Sequence, residues 1–378
     1  MPIPRFNDAS RTTDAKADTG RDPAARAAAD PFADPFADPG DSPPAQESGG
    51  IQPPLIVIAG PTASGKSSLA IYLAERLNGE IINYDSVQVY RGLDIGSGKV
   101  ARELRRKIPH HLFDVVDPGE PCTAGRFRRM ALDALADLRR RRKLPILAGG
   151  TGLYLRALLK GLFEGPERST RLRARLQRIE FQRGRPFLHK MLLRYDADAA
   201  SRIHANDSQK VIRALEIRLL SGEPASRLYQ RGREGLEGFS IVKIGLNPPR
   251  QELMRRINLR VERMFASGLV EETRAVLTRL GLQEENPLPT ALLALGYRHA
   301  CMVLRNRMGV DVAVRLTQAA TRQYAKRQMT WFRRETEVRW FEGFGEDPAV
   351  QQGVMAWLQR DSGISAAQGS VPIEDYKL

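Results

Sequence analysis

Only two cysteines, Cys122 and Cys301, occur in 378 residues, and they stand far apart in the chain. The count excludes a zinc site built from cysteines, and the separation is not metal-ligand spacing, so buried, unpaired thiols are expected. Long apolar runs are missing, so no segment is suited to spanning a bilayer. The N-terminal region lacks the apolar core of a secretion signal, and its acidity argues against a mitochondrial transit peptide, so a cytoplasmic protein is expected.

What the chain has in excess is positive charge, +15 in total. Residues 1–50 run against it: nine acidic and five basic residues give them −4, which leaves +19 on residues 51–378. A folded region this basic suits a polyanionic partner, and nucleic acid is the first candidate. Residues 1–50 are rich in Ala, Asp and Pro and poor in large apolar side chains. They cannot bury enough surface to offset the entropy of ordering, so a disordered acidic tail is expected there. With 42% hydrophobic residues the remainder can build a core, and its length suits two globular units.

Leu55-Ile56-Val57-Ile58-Ala59 is a short apolar run that fits a buried parallel strand. Lys66 to Leu77 reads as a helix with Leu69, Leu73 and Leu77 on one face, and Asn78-Gly79 ends it. A second strand over Glu80–Tyr84, a helix over 124–142 and a strand over Pro145–Ala148 continue the alternation. This pattern predicts an α/β fold, a P-loop NTPase-like parallel sheet core whose first part spans 51–165. Residues 166–238 read as a mostly helical, basic insertion domain. Leu172, Leu176 and Ile179 form one apolar stripe and Ile212, Leu215 and Leu219 another, while Arg171, Arg173, Arg175 and Arg178 lie elsewhere. Ser240–Leu246 is a returning strand. The core continues, mainly helical, over 239–345, and 346–378 is expected to be a loosely attached C-terminal tail.

Gly60-Pro61-Thr62-Ala63-Ser64-Gly65-Lys66-Ser67 matches G-x-x-x-x-G-K-[ST]. It stands after a buried strand and before a helix, where backbone N–H groups and a helix N-terminus can face an anion. Lys66 adds a mobile positive charge, and Ser67 can ligate Mg²⁺. The motif indicates a di- or triphosphate site without saying which compound, and most such loops hold ATP or GTP. Asp85 follows the second strand, at the edge where open α/β sheets bind ligands. It could hold Mg²⁺ through water, act as a general base, or simply cap a turn.

From here the sequence resembles the tRNA dimethylallyltransferase (tRNA isopentenyltransferase) family. The phosphate loop is followed by Asp85-Ser86-Val87-Gln88-Val89-Tyr90-Arg91-Gly92-Leu93-Asp94-Ile95-Gly96 and Pro109-His110-His111-Leu112. Gly149-Gly150-Thr151-Gly152-Leu153-Tyr154 and Asn206-Asp207, leading into Arg213-Ala214-Leu215-Glu216, come next. Gly268-Leu269-Val270-Glu271-Glu272 and Tyr324-Ala325-Lys326-Arg327-Gln328-Met329-Thr330-Trp331-Phe332-Arg333 complete the set. The likeness covers about residues 55–342. A zinc finger, found after the core in eukaryotic relatives, is missing, which makes the resemblance one to the bacterial type.

The resemblance implies transfer of a dimethylallyl group from dimethylallyl diphosphate to the exocyclic amine of an adenine. That adenine lies immediately 3′ of the anticodon in tRNAs reading codons that start with U. It implies that Gly60–Ser67 bind the diphosphate and that Lys66, Arg260 and Mg²⁺ held partly by Ser67 stabilise its departure. Asp85 is the implied general base, and Thr151 lies near the acceptor amine. Asp85, Ser86, Val87, Gln88 and Thr151, with Gln209, Lys210, Val211, Ile212 and Arg213, are the implied tRNA contacts. The anticodon stem-loop is the implied partner, the target base being drawn out of its loop, and a monomer is expected. Gly96-Ser97-Gly98-Lys99-Val100 departs from the family's usual Gly-Thr-Ala-Lys-Pro, Lys210 stands where arginine is more usual, and Cys122 replaces a common tyrosine.

Three other readings share parts of this pattern. A small-molecule kinase would use the same loop and Asp85 but would leave the basic insertion unexplained. A prenyltransferase of free adenine nucleotides would not need that insertion. A non-catalytic RNA-binding protein would have no use for an intact Lys66, Ser67 and Asp85. His110 and His111 are expected to be structural, because adjacent histidines point in different directions. Tyr324–Arg334 could stack on RNA bases or pack Trp331 on the core.

Overall fold

The computed structural model describes residues 52–364 apart from 164, 231–233 and 284–285. The acidic tail expected over 1–50 and the end of the chain from 365 lie outside the described residues. Six strands form one sheet: β1 (Pro54–Ala59), β2 (Gly79–Asn83), β3 (His110–His111), β4 (Leu144–Ala148), β5 (Ser240–Asn247) and β6 (Val338–Glu342). Their spatial order is β3-β2-β4-β1-β5-β6 and every pairing is parallel. Along β1 successive side chains face opposite ways. Ile56 and Ile58 join a core layer with Leu69 and Leu73 of α1 (Lys66–Arg76). Leu55 and Val57 join a second layer with Phe127 and Leu135 of α3 (Ala124–Arg140). Both faces of the sheet are thus covered, which is why the central strands β1 and β4 read as apolar runs. A short helix, α2 (Arg102–Lys107), precedes β3, and α4 (Gly152–Leu159) follows β4.

Five helices, α5 (Thr170–Arg183), α6 (Arg185–Tyr195), α7 (Ala197–Arg202), α8 (Ser208–Ser221) and α9 (Ala225–Gln230), build the insertion around a core of their own. Their starts are legible. Ser169 accepts from Leu172 N at α5, Asp196 from Ala199 N at α7, and Asp207 from Lys210 N at α8. Leu176, Ile212 and Leu215 are buried as the apolar stripes predict, with Leu172 and Ile179 packed against them. Leu219 departs from its stripe and is 46% exposed, because it faces an open depression between α8 and α5. Beyond β5, α10 (Arg250–Ala266), α11 (Leu269–Arg279), α12 (Tyr297–Leu304) and α13 (Val310–Phe332) form a second helical layer over the carboxyl edge of the sheet. No helix of the described residues is long and apolar enough to cross a membrane.

The expected loose attachment of 346–378 does not hold for its first part. Pro348–Asp361 forms helix α14, whose Val350, Val354 and Leu358 are buried in the layer that also holds Leu69 and Leu73. The strand before it, β6, extends the sheet beyond β5. Replacing Leu358, which is fully buried, by alanine should cost about 2–5 kcal/mol. A chemical denaturation midpoint measures this, and an unchanged midpoint would mean that α14 contributes nothing to the core.

Candidate active site

Strands β2, β4 and β1 are neighbours in the sheet, and each carries a candidate group just past its carboxyl end. Asp85 follows β2, Thr151 follows β4, and the loop Gly60–Ser67 follows β1 and opens α1. Parallel strands make this juxtaposition unavoidable, since all their carboxyl ends lie on one edge.

Gly65 caps α1 at φ 83°, in the left-handed region that glycine enters without steric cost. The side chain of Lys66 curls back, and Nζ donates to Gly60 O at 2.9 Å and to Pro61 O at 2.7 Å. Burial lowers its ammonium pKa to about 7; the Asp85 carboxylate opposes this fall, and the like charge of Arg260 adds to it. Arg260, on α10, is likewise lowered by burial and raised by Asp85. Two cations and one carboxylate therefore share this pocket. Arg260 approaches Gly98 closely: a Cβ at 98 would lie 1.7 Å from Nη2. Glycine at that departure from the family pattern leaves room for the guanidinium as the loop stands. Gln88 holds the same loop, donating from Nε2 to Ser97 O at 3.1 Å.

Asp85 uses its two oxygens differently. Oδ1 accepts from Val87 N at 2.9 Å and from Gln88 N at 3.4 Å, the turn-capping role. Oδ2 accepts no hydrogen bond from the described residues and lies 3.3 Å from where a side chain on Gly150 would begin. Thr151 occupies the N-cap position of α4 without capping it. Its Oγ1 instead accepts from Ser86 N at 2.9 Å and donates to Ser86 Oγ at 3.1 Å. That tie fixes the 85–88 turn to the start of α4.

Two cavities open on these residues. One, of about 390 Å³, is lined by Ser86, Val87, Cys122, Thr151, Tyr154 and Trp331 among others. The other, of about 420 Å³, is lined by the loop from Thr62 to Ser68 and by Gln88, His110 and Phe113. Their walls share Thr62, Asp85, Gly150, Arg260, Tyr324 and Gln328. The arrangement suits two ligands approaching from opposite sides, an anion in the loop and a flat, partly apolar group in the other chamber. Ser67 is exposed and lines the loop cavity, so its hydroxyl is available to a cation. No cluster of three or more acidic, His or Cys side chains able to hold a metal occurs among the described residues. The donor set therefore fits Mg²⁺ brought in with phosphate oxygens and water, its usual manner of binding.

The segment 209–213 lies apart, on α8, and lines neither cavity. Val211 and Ile212 are buried in the insertion core, so their side chains are withheld from RNA. Arg213 donates to Glu216 Oε2 at 2.7 Å and to Pro166 O at 2.9 Å. Lys210 pairs with Asp207 at 3.0 Å, and Gln209 is exposed. His110 and His111 form β3: His110 Nδ1 meets Ile108 O at 2.6 Å and His111 Nε2 meets Glu80 Oε2 at 2.7 Å. Among the described residues neither histidine belongs to a group of three or more side chains able to hold a metal. Trp331 packs on the core at 5% exposure, while Tyr324 and Gln328 of the same helix reach the junction of the cavities. Their spacing at i, i+4 and i+7 is the sequence signal that would have put all three on one inward face.

A model of the IPP transferase family matches residues 88–335. The chain is 54% identical to the tRNA dimethylallyltransferase of Koribacter versatilis over 79% of this chain and 95% of that one. It is 48% identical to that of Solibacter usitatus, over 80% and 97%. Among solved structures, the full-length tRNA isopentenylpyrophosphate transferase of Bacillus halodurans is 35% identical. It superposes with a TM-score of 0.58 over 82% of this chain and 98% of its own. A eukaryotic dimethylallyltransferase acting on tRNA, 28% identical, has a TM-score of 0.66 over 82% and 77%. With a glycine-bearing loop opening a helix at the sheet edge and a second chamber beside it, and with this extent of likeness, the chain belongs to the IPP transferase family of tRNA dimethylallyltransferases.

Proposed function

We propose that this chain transfers the dimethylallyl group of dimethylallyl diphosphate to the exocyclic amine of the adenine immediately 3′ of the anticodon. The substrates are tRNAs reading codons that start with U, and diphosphate is released. The observation that carries the reading is the shared wall of the two cavities, where Asp85, Arg260 and the edge of the phosphate loop meet. The diphosphate occupies the loop, and the adenine enters the other chamber. The amine nitrogen attacks the first carbon of the allyl group. The carbon–oxygen bond breaks with its electron pair leaving on the diphosphate, and Oδ2 of Asp85 takes the amine proton. Adenine's exocyclic amine is a poor nucleophile, so holding it against the allyl carbon supplies much of the rate. Thr151 fixes the turn that carries Asp85. Lys66 and Arg260 place positive charge where the leaving group gains negative charge. Ser67 would hold Mg²⁺, which supplies further charge neutralisation to the diphosphate when bound.

The insertion suits the anticodon arm. Arg171, Arg175 and Arg178 line a depression of about 790 Å³ on α5, are exposed, and form no ion pair with the described residues. They are free to meet phosphates, whereas Arg173 is held by Glu216 at 2.9 Å. The test is label transfer from radioactive dimethylallyl diphosphate to unmodified tRNA carrying an A-A-A run, its first adenine closing the anticodon. AMP serves as the competing acceptor. Label on tRNA is expected. Label on AMP alone would move the chain to nucleotide prenylation, and ATP-dependent phosphoryl transfer without prenylation would replace the reading by a kinase.

Lys66 gives the donor site a pH dependence of definite sign. With its pKa lowered to about 7, the ammonium is present below that pH and lost above it. A bound diphosphate favours the charged form, so binding above pH 7 takes up a proton and weakens as pH rises. Donor affinity measured by calorimetry should fall by up to about tenfold per pH unit above 7. In Lys66→Met the fall should vanish; the same fall in that variant would clear Lys66 of the effect.

A further inference from the structure

Gln328 is a buried amide, 5% exposed, on the inward face of α13. Its two ends are committed to two different parts of the site. Oε1 accepts from the backbone N–H of Thr62, in the phosphate loop, at 2.7 Å. Nε2 donates to the carbonyl of Gly150 at 2.8 Å. Gly150 is the residue before Thr151, and Tyr324 OH donates to the same carbonyl at 3.2 Å. A side chain on Gly150 would begin 2.5 Å from Nε2 of Gln328 and 3.3 Å from Oδ2 of Asp85. The amide and the oxygen assigned to proton removal thus both border Gly150, and the amide also touches the loop assigned to the diphosphate. Strands β1 and β4 pair in register only as far as Ile58 and Ala148. Past that point no ladder fixes the phosphate loop relative to the Gly150–Thr151 turn, and Gln328 bridges the gap.

We propose that Gln328 is a positioning residue that sets the separation between donor and acceptor by tying the phosphate loop to the Gly150–Thr151 turn. The proposal rests on the transfer reaction read above. A carboxamide is suited to the task because it presents an acceptor and a donor on one rigid plane. Thr62 N–H needs the first and Gly150 O the second. The remaining loop amides and Lys66 still bind the diphosphate without it, and the insertion still binds tRNA, so the tie governs the turnover step rather than either affinity.

The experiment compares steady-state transfer to tRNA by the wild-type protein with Gln328→Met, which keeps the length and removes both hydrogen bonds. A misplacement of the reacting groups by about 1 Å costs on the order of 100-fold, so kcat should fall by about that factor. KM for dimethylallyl diphosphate and for tRNA should each stay within about threefold. Combined with Thr151→Val, the losses should fail to multiply, because both act on the same turn. Gln328→Glu, which keeps an acceptor for Thr62 but offers Gly150 O no donor when ionised, serves if the methionine variant does not fold, and should lose at least about tenfold in kcat. Either folded variant retaining kcat within about twofold of wild type would overturn the proposal, as would losses in the double variant that multiply fully. A wild-type protein inactive on tRNA would instead remove the transfer reading on which it rests.

Discussion

Asp85→Asn should lower the rate of prenyl transfer about 10³-fold, within the range that a positioned general base contributes, with tRNA binding almost unchanged. The substitution is nearly isosteric. An asparagine oxygen can still accept from Val87 N and Gln88 N, which Oδ1 of Asp85 now does at 2.9 and 3.4 Å, so the turn and its tie to Thr151 survive. What is lost is the ability of the second oxygen to take a proton from the amine. The field in the pocket changes as well, because Lys66 and Arg260 both feel this carboxylate. Single-turnover transfer with saturating protein isolates the chemical step from product release, and filter binding reports tRNA affinity. A variant retaining a tenth or more of the wild-type rate would leave Asp85 with only its turn-capping role.

The largest effect on stability is expected at Glu216, inside the insertion. Its carboxylate is fully buried and accepts from Ser169 N, from Arg173 through two nitrogens and from Arg213. Burial acts to raise this carboxyl, but Arg173, Arg213 and the Ser169 N–H outweigh it and hold it below the ordinary 4.5. The sign follows. Its contribution is complete above about the ordinary carboxylate pKa and is lost as the pH falls through the depressed folded value. Glu216→Ala removes the acceptor and leaves two guanidinium groups unpaired, which should cost about 3–5 kcal/mol. The insertion has its own core, so it should melt while the sheet keeps its phosphate loop. Thermal melting followed by tRNA binding and donor binding separates the two units. Loss of tRNA affinity with donor affinity retained is expected, and an unchanged melt would mean that the charges are solvated in solution.

This network also explains why the 209–213 segment reads differently in sequence and in space. The resemblance implies one stretch of RNA contacts there, yet α8 turns by a fixed angle per residue. Consecutive positions must face different ways, and Val211 and Ile212 fall on the buried side. Arg213 is held by Glu216, a pairing invisible in the linear order except as an i, i+3 spacing. The C-terminal residues differ from their sequence expectation for a related reason. Val350, Val354 and Leu358 have helical periodicity, but their burial depends on a sheet face and an α1 surface far away in sequence.

By itself the sequence determined the features whose causes are local. An apolar run, the G-x-x-x-x-G-K-[ST] spacing and a helix start point to a phosphate loop, because backbone conformation and helix polarity need no distant partner. The same holds for the alternation that specifies a parallel sheet. Only the tertiary structure decided which groups meet. The order β2-β4-β1 brings Asp85, Thr151 and Lys66 to one edge, and α13 reaches across it to place Gln328 between Thr62 and Gly150. Those contacts join residues as many as 266 positions apart. Hydrogen-bond partners at such separations are set by how the layers pack, and neighbouring residues carry no record of it.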